Sequence, residues 1–186
     1  MKLLLSSNVS LGVCLLLVLL VPVLTHSPRR EKLNRLWKQM NLLKVIARGP
    51  FSTNDLEADY QHNLTALPRI TSRARDFRNL QLNTTLLQLH SGLQSFQFHF
   101  DWLRQVHLNR SMNVPPMTQR IMDHLQLLQK QMENLPSNPV PRVPPQLPRL
   151  TSNWDIHTAS VVVHQHLQSF CKWSVLALHN LMRKAL

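Results

Sequence analysis

Leu86, Leu89, Leu93, Phe96, Phe100 and Leu103 stand 3, 4, 3, 4 and 3 residues apart. That spacing collects all six on one side of an α-helix, whereas in a strand they would scatter over both faces. An amphipathic helix is therefore predicted over about 84–108, with Asn83 or Thr84 as its cap. Three other segments keep the same rhythm. Over 28–48 the stripe is Leu33, Leu36, Met40, Leu43 and Ala47, widened by Trp37 and stopped by Gly49-Pro50. Over 116–135 it is Ile121, Leu125, Leu128, Met132 and Leu135, between Pro116, which suits a first helical position, and Pro136. Over 154–185 it is Ile156, Val163, Leu167, Phe170, Ala177 and Leu181, preceded by Ser152-Asn153-Trp154-Asp155, a Ser-x-x-acid variant of the capping box. Val161, Val162, Trp173, Leu176 and Leu178 spread apolar surface further round this last helix, so it is central or sits against a partner. No alternating pattern of useful length suggests a strand, and the fold class is all-α.

The connections restrict the topology. About 35 residues separate the first two helices, about 7 the second and third, and nearly 20 the third and fourth. A 25-residue helix is ~37 Å long, and seven extended residues reach ~25 Å at most. The second and third helices are therefore antiparallel neighbours, while the other two connections can run the length of the bundle. Long, short, long is the pattern of an up-up-down-down four-helix bundle of the long-chain cytokine type with two long crossover loops. An up-down-up-down bundle with slack loops fits the same lengths. Six prolines between Pro136 and Pro148 make the third connection extended and stiff, a strut or a linker.

The N-terminal region reads as a leader. Lys2, the apolar run Leu11 to Leu24 and the polar break at Thr25-His26-Ser27 make residues 1–26 a signal peptide, too short for a span of ~20 residues. Residues 27–186 then form one secreted domain, with no later segment apolar enough for membrane insertion. Removing Lys2 from 21 basic residues leaves 20 against 9 acids, a net charge of +11. Such a surplus favours polyanions or acidic receptor surfaces; outside the cell that means heparan sulfate and its relatives, not nucleic acid. Cys14 leaves with the leader and Cys171 stands alone, so no internal disulfide is expected and Cys171 reads as a small buried hydrophobe. Asn63, Asn83 and Asn109 sit in N-x-[ST] sequons and are candidate glycosylation sites.

Enzymatic chemistry finds no support. Gly49 and Gly92 alone remain after the leader, too few for a phosphate-cradling loop. There is no Gly-x-Ser-x-Gly, Cys-x-x-Cys or His-Glu-x-x-His, and neither His166 nor His179 is spaced to serve Cys171 as a base. His157 and His164 lie seven apart and could share a helix face, but no acid or cysteine completes a metal shell. No catalytic, cofactor or metal site is expected.

Particular residues carry a resemblance. Gln61-His62-Asn63-Leu64-Thr65-Ala66-Leu67-Pro68, Leu80-Gln81-Leu82 and His99-Phe100-Asp101-Trp102-Leu103-Arg104 are similar to the interleukin-11 family of the interleukin-6 class. The proline-rich third loop, Trp154 opening the last helix, and Lys172-Trp173-Ser174-Val175 resemble it too, over most of the chain after the leader. The resemblance implies a ligand that binds a specific alpha receptor, then recruits the shared chain glycoprotein 130 to drive JAK–STAT signalling. It implies an alpha-receptor surface on Leu67, Arg69, Leu176, His179, Arg183 and Lys184. Leu176 stands where the family has a basic residue, so Arg183 and Lys184 are the nearest basic candidates. A second surface would use Arg35, Leu42, Arg120, His124, Leu127 and Lys130, which lie off the core stripes of the first and third helices.

A third would use Trp154, where residue chemistry adds its own reading. Trp154 is two residues from Ile156, ~200° round the helix from the core stripe. It is either folded back under Pro144, Pro145 and Pro148 or exposed, and exposed it is a large apolar anchor rimmed by Asp155 and Arg149. The other class of function open to this sequence is a basic amphipathic-helical protein that binds lipid or heparin.

Overall fold

The computed structural model describes residues 28–48, 64, 66–71, 74–133, 135 and 144–184; the leader lies outside them. Its α-helices are α1 Pro28–Ile46, α2 Leu82–Asn109, α3 Pro116–Glu133 and α4 Asn153–Lys184, with a 3₁₀ helix at Ala74–Asn79 ahead of α2. No strand occurs among the described residues. None of the described helices is long and apolar enough to cross a membrane.

Each boundary has a local cause. Helix α1 starts on Pro28, which lacks the N–H that would be orphaned there anyway. It ends two residues before the expected Arg48, because the Arg48 N–H bonds back three residues to the Val45 carbonyl and tightens the last turn. Helix α2 starts two residues earlier than expected, and neither Asn83 nor Thr84 caps it. The cap position is Gln81, whose carbonyl accepts from both the Thr85 N–H (3.0 Å) and the Thr85 hydroxyl (2.7 Å). Its far end is a Schellman closure. Met112 N–H bonds to His107 O at 2.9 Å and Ser111 N–H to Leu108 O at 3.0 Å, with Ser111 left-handed at φ 54°. Helix α3 stops at Glu133, not Leu135: Leu135 precedes Pro136, which disfavours helical backbone, and its N–H bonds to Met132 O three residues back.

The predicted stripes are the core. Leu33, Leu36, Met40 and Leu43 of α1 face Leu86, Leu89, Leu93, Phe96, Phe100 and Leu103 of α2, Ile121, Leu125, Leu128 and Met132 of α3, and the inner face of α4. Helix α1 packs against α3 and α4, and α2 packs against the same two. Gln129 Nε2 donates to Leu93 O (3.3 Å) between α3 and α2, and Gln168 Nε2 to Ala47 O (2.8 Å) between α4 and the end of α1. Both ends of α2 are tied to α4 in antiparallel sense. Arg110, just past α2, bonds to Leu150 O, Thr151 O and Asn153 Oδ1 at the start of α4. Lys184 Nζ, at the end of α4, donates to Arg78 O (2.6 Å) and Leu80 O (3.1 Å), just before α2.

Gly92 of α2 lies directly against the Phe170 ring of α4. Phe170 is fully buried and tilted against Phe96 at 5.3 Å between ring centroids. A Cβ on Gly92 would lie 2.5 Å from Phe170 Cζ, closer than any real contact. Cys171, the neighbour of Phe170, is buried and free, and burial pushes its thiol far above the usual range. It behaves as a small apolar residue, with the Lys44 charge on α1 opposing the shift only in part.

Candidate functional surfaces

Three regions of the surface combine exposed apolar side chains with basic ones. The first lies at the C-terminal end of α4. Leu176, Asn180, Arg183 and Lys184 form one wall of a cleft of about 670 Å³, and Phe77 and Arg78 of the 3₁₀ helix form the other. The spacings 176, 180, 183 and 184 bring these four onto one helix face, and His179, also exposed, flanks it. Leu176 is 52% exposed, an apolar side chain sharing the cleft with Arg78, Arg183 and Lys184. The two Lys184 hydrogen bonds hold the 3₁₀ helix against α4 and so define the cleft.

The structure divides the residues expected on this surface. Leu67 is buried in the core at 3% exposure, so its side chain anchors the loop and is absent from the outer surface. Ser95 Oγ donates to Ala66 O at 2.6 Å, pinning the same turn to α2, and the Pro68 carbonyl lies 3.5 Å from His166 Nδ1. Arg69 is exposed beside it. From His166 to Arg183 is 17 residues, or ~25 Å along α4, so Arg69 does not join the cleft. Phe77, Arg78 and Asn180, which sequence reasoning missed, take the places nearest Arg183 and Lys184.

The second region spans α1 and α3. The His124 ring bridges them, its Nε2 at 3.1 Å from the Gln39 carbonyl, which requires the proton on that nitrogen. Around this bridge Leu42 is 49% and Leu127 42% exposed, and Arg120 and Lys130 are also exposed. Val45, more exposed than either leucine, lies one turn beyond Leu42 and extends the patch; it was missed because it falls between stripe positions. Arg35 is exposed and paired with Glu31 at 2.7 Å, four residues before it on α1. So open a pair contributes a few tenths of a kcal/mol (~0.3–0.5).

The third region is the tip where α4 begins. Here the capping box is closed in both directions. Asp155 N–H bonds to Ser152 Oγ at 3.0 Å, and the Asp155 carboxylate accepts from Ser152 N–H (2.8 Å), Thr151 N–H (3.0 Å) and Thr151 Oγ1 (2.9 Å). The Ser152 backbone bond, then the Thr151 hydroxyl, hold this carboxyl below its ordinary range. Asp155 is therefore part of the cap and not a free charge at the rim. Trp154, next to it, is 61% exposed and tilts against His157 at 6.0 Å. It is not folded under the proline-rich loop; the residue that packs down there is Leu150, at 7% exposure.

The histidines divide by face. His157 is exposed beside Trp154, whereas His164 is buried with its ring edge-on to Phe100 at 5.0 Å. His99 is fully buried, with Nδ1 2.7 Å from Ser95 O and Nε2 without a hydrogen-bond partner. Burial lowers the pKa of both His99 and His164. Of the sequon asparagines, Asn83 and Asn109 are exposed near opposite ends of α2, and Asn63 lies outside the described residues.

Residues 25–185 match the family model described as Interleukin 11. Comparison with curated proteins gives no match.

Proposed function

Because the chain belongs to the interleukin-11 family, a family of cytokines and not of enzymes, we propose that it is exported as residues 27–186 after loss of a 1–26 leader and acts as a receptor ligand. It binds an alpha receptor of the interleukin-11 type, then recruits glycoprotein 130 and activates JAK–STAT signalling. Interleukin-11 family cytokines are secreted, and the apolar Leu11–Leu24 run fits that route. The net charge supports a secondary attraction to heparan sulfate.

In this reading the helices run up-up-down-down with two long crossover connections. The antiparallel ties of α2 to α4 support it. So does the pairing of α1 with α4, where Ala47 meets Gln168 and Lys44 acts on Cys171: the partner number rises as the α1 number falls. The alpha-receptor surface is the cleft face with Leu176, His179, Arg183 and Lys184, and Arg69 stands as an outlying contact. Arg35, Leu42, Arg120, His124, Leu127 and Lys130 form one contact with the signal-transducing chain, and Trp154 forms another.

The observation that carries the reading is the exposure of Trp154 on a fixed helix start, because tryptophan is enriched among interface anchors and losing one can cost ~2 kcal/mol or more. Trp154→Ala is expected to keep the fold and alpha-receptor binding and to lose assembly of the full complex, and so to act as an antagonist. Sizing of mixtures with the two receptor ectodomains, beside a reporter-cell assay, tests this. Full signalling by the variant would remove the tip from the mechanism. Partition of the protein into liposomes without any receptor would favour the lipid-binding alternative.

A further inference from the structure

The Trp154 tip carries a second feature that the receptor reading does not use: the sequon Asn109-Arg110-Ser111. Asn109 is the last residue of α2 and is exposed, as is Ser111, where the backbone turns left-handed and leaves the helix. Arg110 between them crosses to the start of α4, with guanidinium nitrogens 2.6 Å from Thr151 O, 3.1 Å from Leu150 O and 3.3 Å from Asn153 Oδ1. Asn109 and Trp154 are thus the immediate chain neighbours of two residues joined side chain to side chain. Leu108, one residue before Asn109, is also exposed. Asn83 differs on both counts. Its sequon hydroxyl, Thr85, is buried and donates to Gln81 O. It also lies 26 residues from Asn109, or ~39 Å along α2.

We propose that Asn109 carries an N-linked glycan that crowds the Trp154 tip and weakens recruitment of the signal-transducing chain, while leaving the alpha-receptor surface untouched. The inference rests on the reading of Trp154 as a contact for that chain. A glycan is bulky and hydrophilic. Attached at the end of α2, it shares the solvent above the indole and Leu108, so a partner must displace or avoid it to seat the tryptophan. The alpha-receptor cleft lies at the far end of α4 and is out of its reach. Glycosylation here would set the threshold for signalling without changing the first binding step.

The test uses full-length protein secreted from a glycosylating cell line. Peptide mass analysis reads occupancy at Asn109. Five proteins are compared: wild type, Ser111→Gly, Asn83→Gln, Trp154→Ala and Trp154→Ala/Ser111→Gly. Glycine suits the left-handed backbone at 111, and its loss of the hydroxyl removes the sequon while keeping Asn109 and Arg110. Enzymatic deglycosylation of folded wild type supplies an arm without mutation. Occupied Asn109 is expected in wild type. Ser111→Gly and the deglycosylated protein should bind the signal-transducing chain roughly threefold to tenfold more tightly, tenfold being about 1.4 kcal/mol, with alpha-receptor affinity unchanged. Asn83→Gln should match wild type, and the double variant should show no gain over Trp154→Ala. An unoccupied Asn109, or an occupied one whose removal changes nothing, overturns the proposal. If Trp154→Ala still impairs assembly in that case, the receptor reading stands without the glycan. A gain that persists in the double variant also overturns it, because the sugar then acts somewhere other than at the indole.

Discussion

Gly92→Ala sets two physical effects against each other, and the geometry decides the sign. Inside a helix, glycine to alanine stabilises by about 1 kcal/mol through backbone entropy. Residue 92 lies in the middle of α2, so helix propensity alone predicts a more stable protein. The new methyl, however, would lie 2.5 Å from Phe170 Cζ and 3.3 Å from Cδ2. The ring cannot swing away freely, because Phe170 is fully buried between Phe96 at 5.3 Å and Trp173 at 6.0 Å. Overpacking of this kind costs about 1–3 kcal/mol, and so severe an overlap belongs at the upper end. Subtracting the propensity gain leaves about 2 kcal/mol of destabilisation. At ~2–4 °C per kcal/mol for a domain of this size, the melting temperature should fall by ~4–8 °C, measured by calorimetry. Phe170→Leu supplies the control: it should cost less in the Gly92→Ala background than alone, because the smaller side chain makes room for the methyl. An unchanged or raised melting temperature for Gly92→Ala would show that α2 and α4 are not packed as closely as Phe170 requires.

Two further outcomes follow from buried groups. His99 and His164 are held below their ordinary pKa, first by burial, with hydrogen bonds to the Ser95 and Ser160 carbonyls opposing that and His166 adding to it at His99. The unfolded chain, with histidine pKa ~6.5, then binds protons before the folded one does. Stability should therefore be full above about pH 7 and fall as the pH drops through about 6.5. Thermal melts at about pH 7.5 and about pH 5.5 read this: the acid melt should be lower, with a shallower slope in His99→Leu, and equal melting temperatures would contradict it. Cys171, buried and with its thiol pushed far up, should resist a thiol-labelling reagent in the native state and react only on unfolding; rapid native labelling would mean that α4 opens locally.

The core was legible because long stripes leave little choice. Leu86 to Leu103 on α2 and Ile121 to Met132 on α3 are buried at the predicted positions, since an apolar face that recurs over several turns must be covered. What the sequence did not reveal depended on backbone partners that no pattern records. Helices α1 and α3 each end two residues early, on i to i+3 bonds at Arg48 and Leu135. The start of α2 at Gln81 has no side-chain cap, so rules that look for one point to Asn83 or Thr84 instead. The 3₁₀ helix Ala74–Asn79 has no stripe and is held by Lys184 from the other end of the chain, so Phe77 and Arg78 could not be placed beside Arg183 beforehand. The resemblance puts Leu67 on the receptor surface with the first long loop, yet its side chain plugs the core.

The two ends of α4 differ in how they are held, and this bears on how each would bind. At the C-terminal cleft Lys184 donates two hydrogen bonds to the segment before α2 through a flexible and exposed side chain, and Phe77 of the 3₁₀ helix packs against the core. A partner that drew Lys184 away would remove both of these hydrogen bonds. At the N-terminal tip, by contrast, four hydrogen bonds close the capping box and three more run from Arg110 to the residues on either side of it. Leu150, buried beneath, fixes the approach of the chain to the helix. The indole of Trp154 is thus presented from backbone already ordered. Binding through such a residue gives up little conformational freedom, and that lets one exposed tryptophan contribute more than its contact area suggests. A large apolar side chain held in water by seven polar contacts around its base gains nothing for folding from that exposure. Under the receptor reading, the signal-transducing chain would cover it.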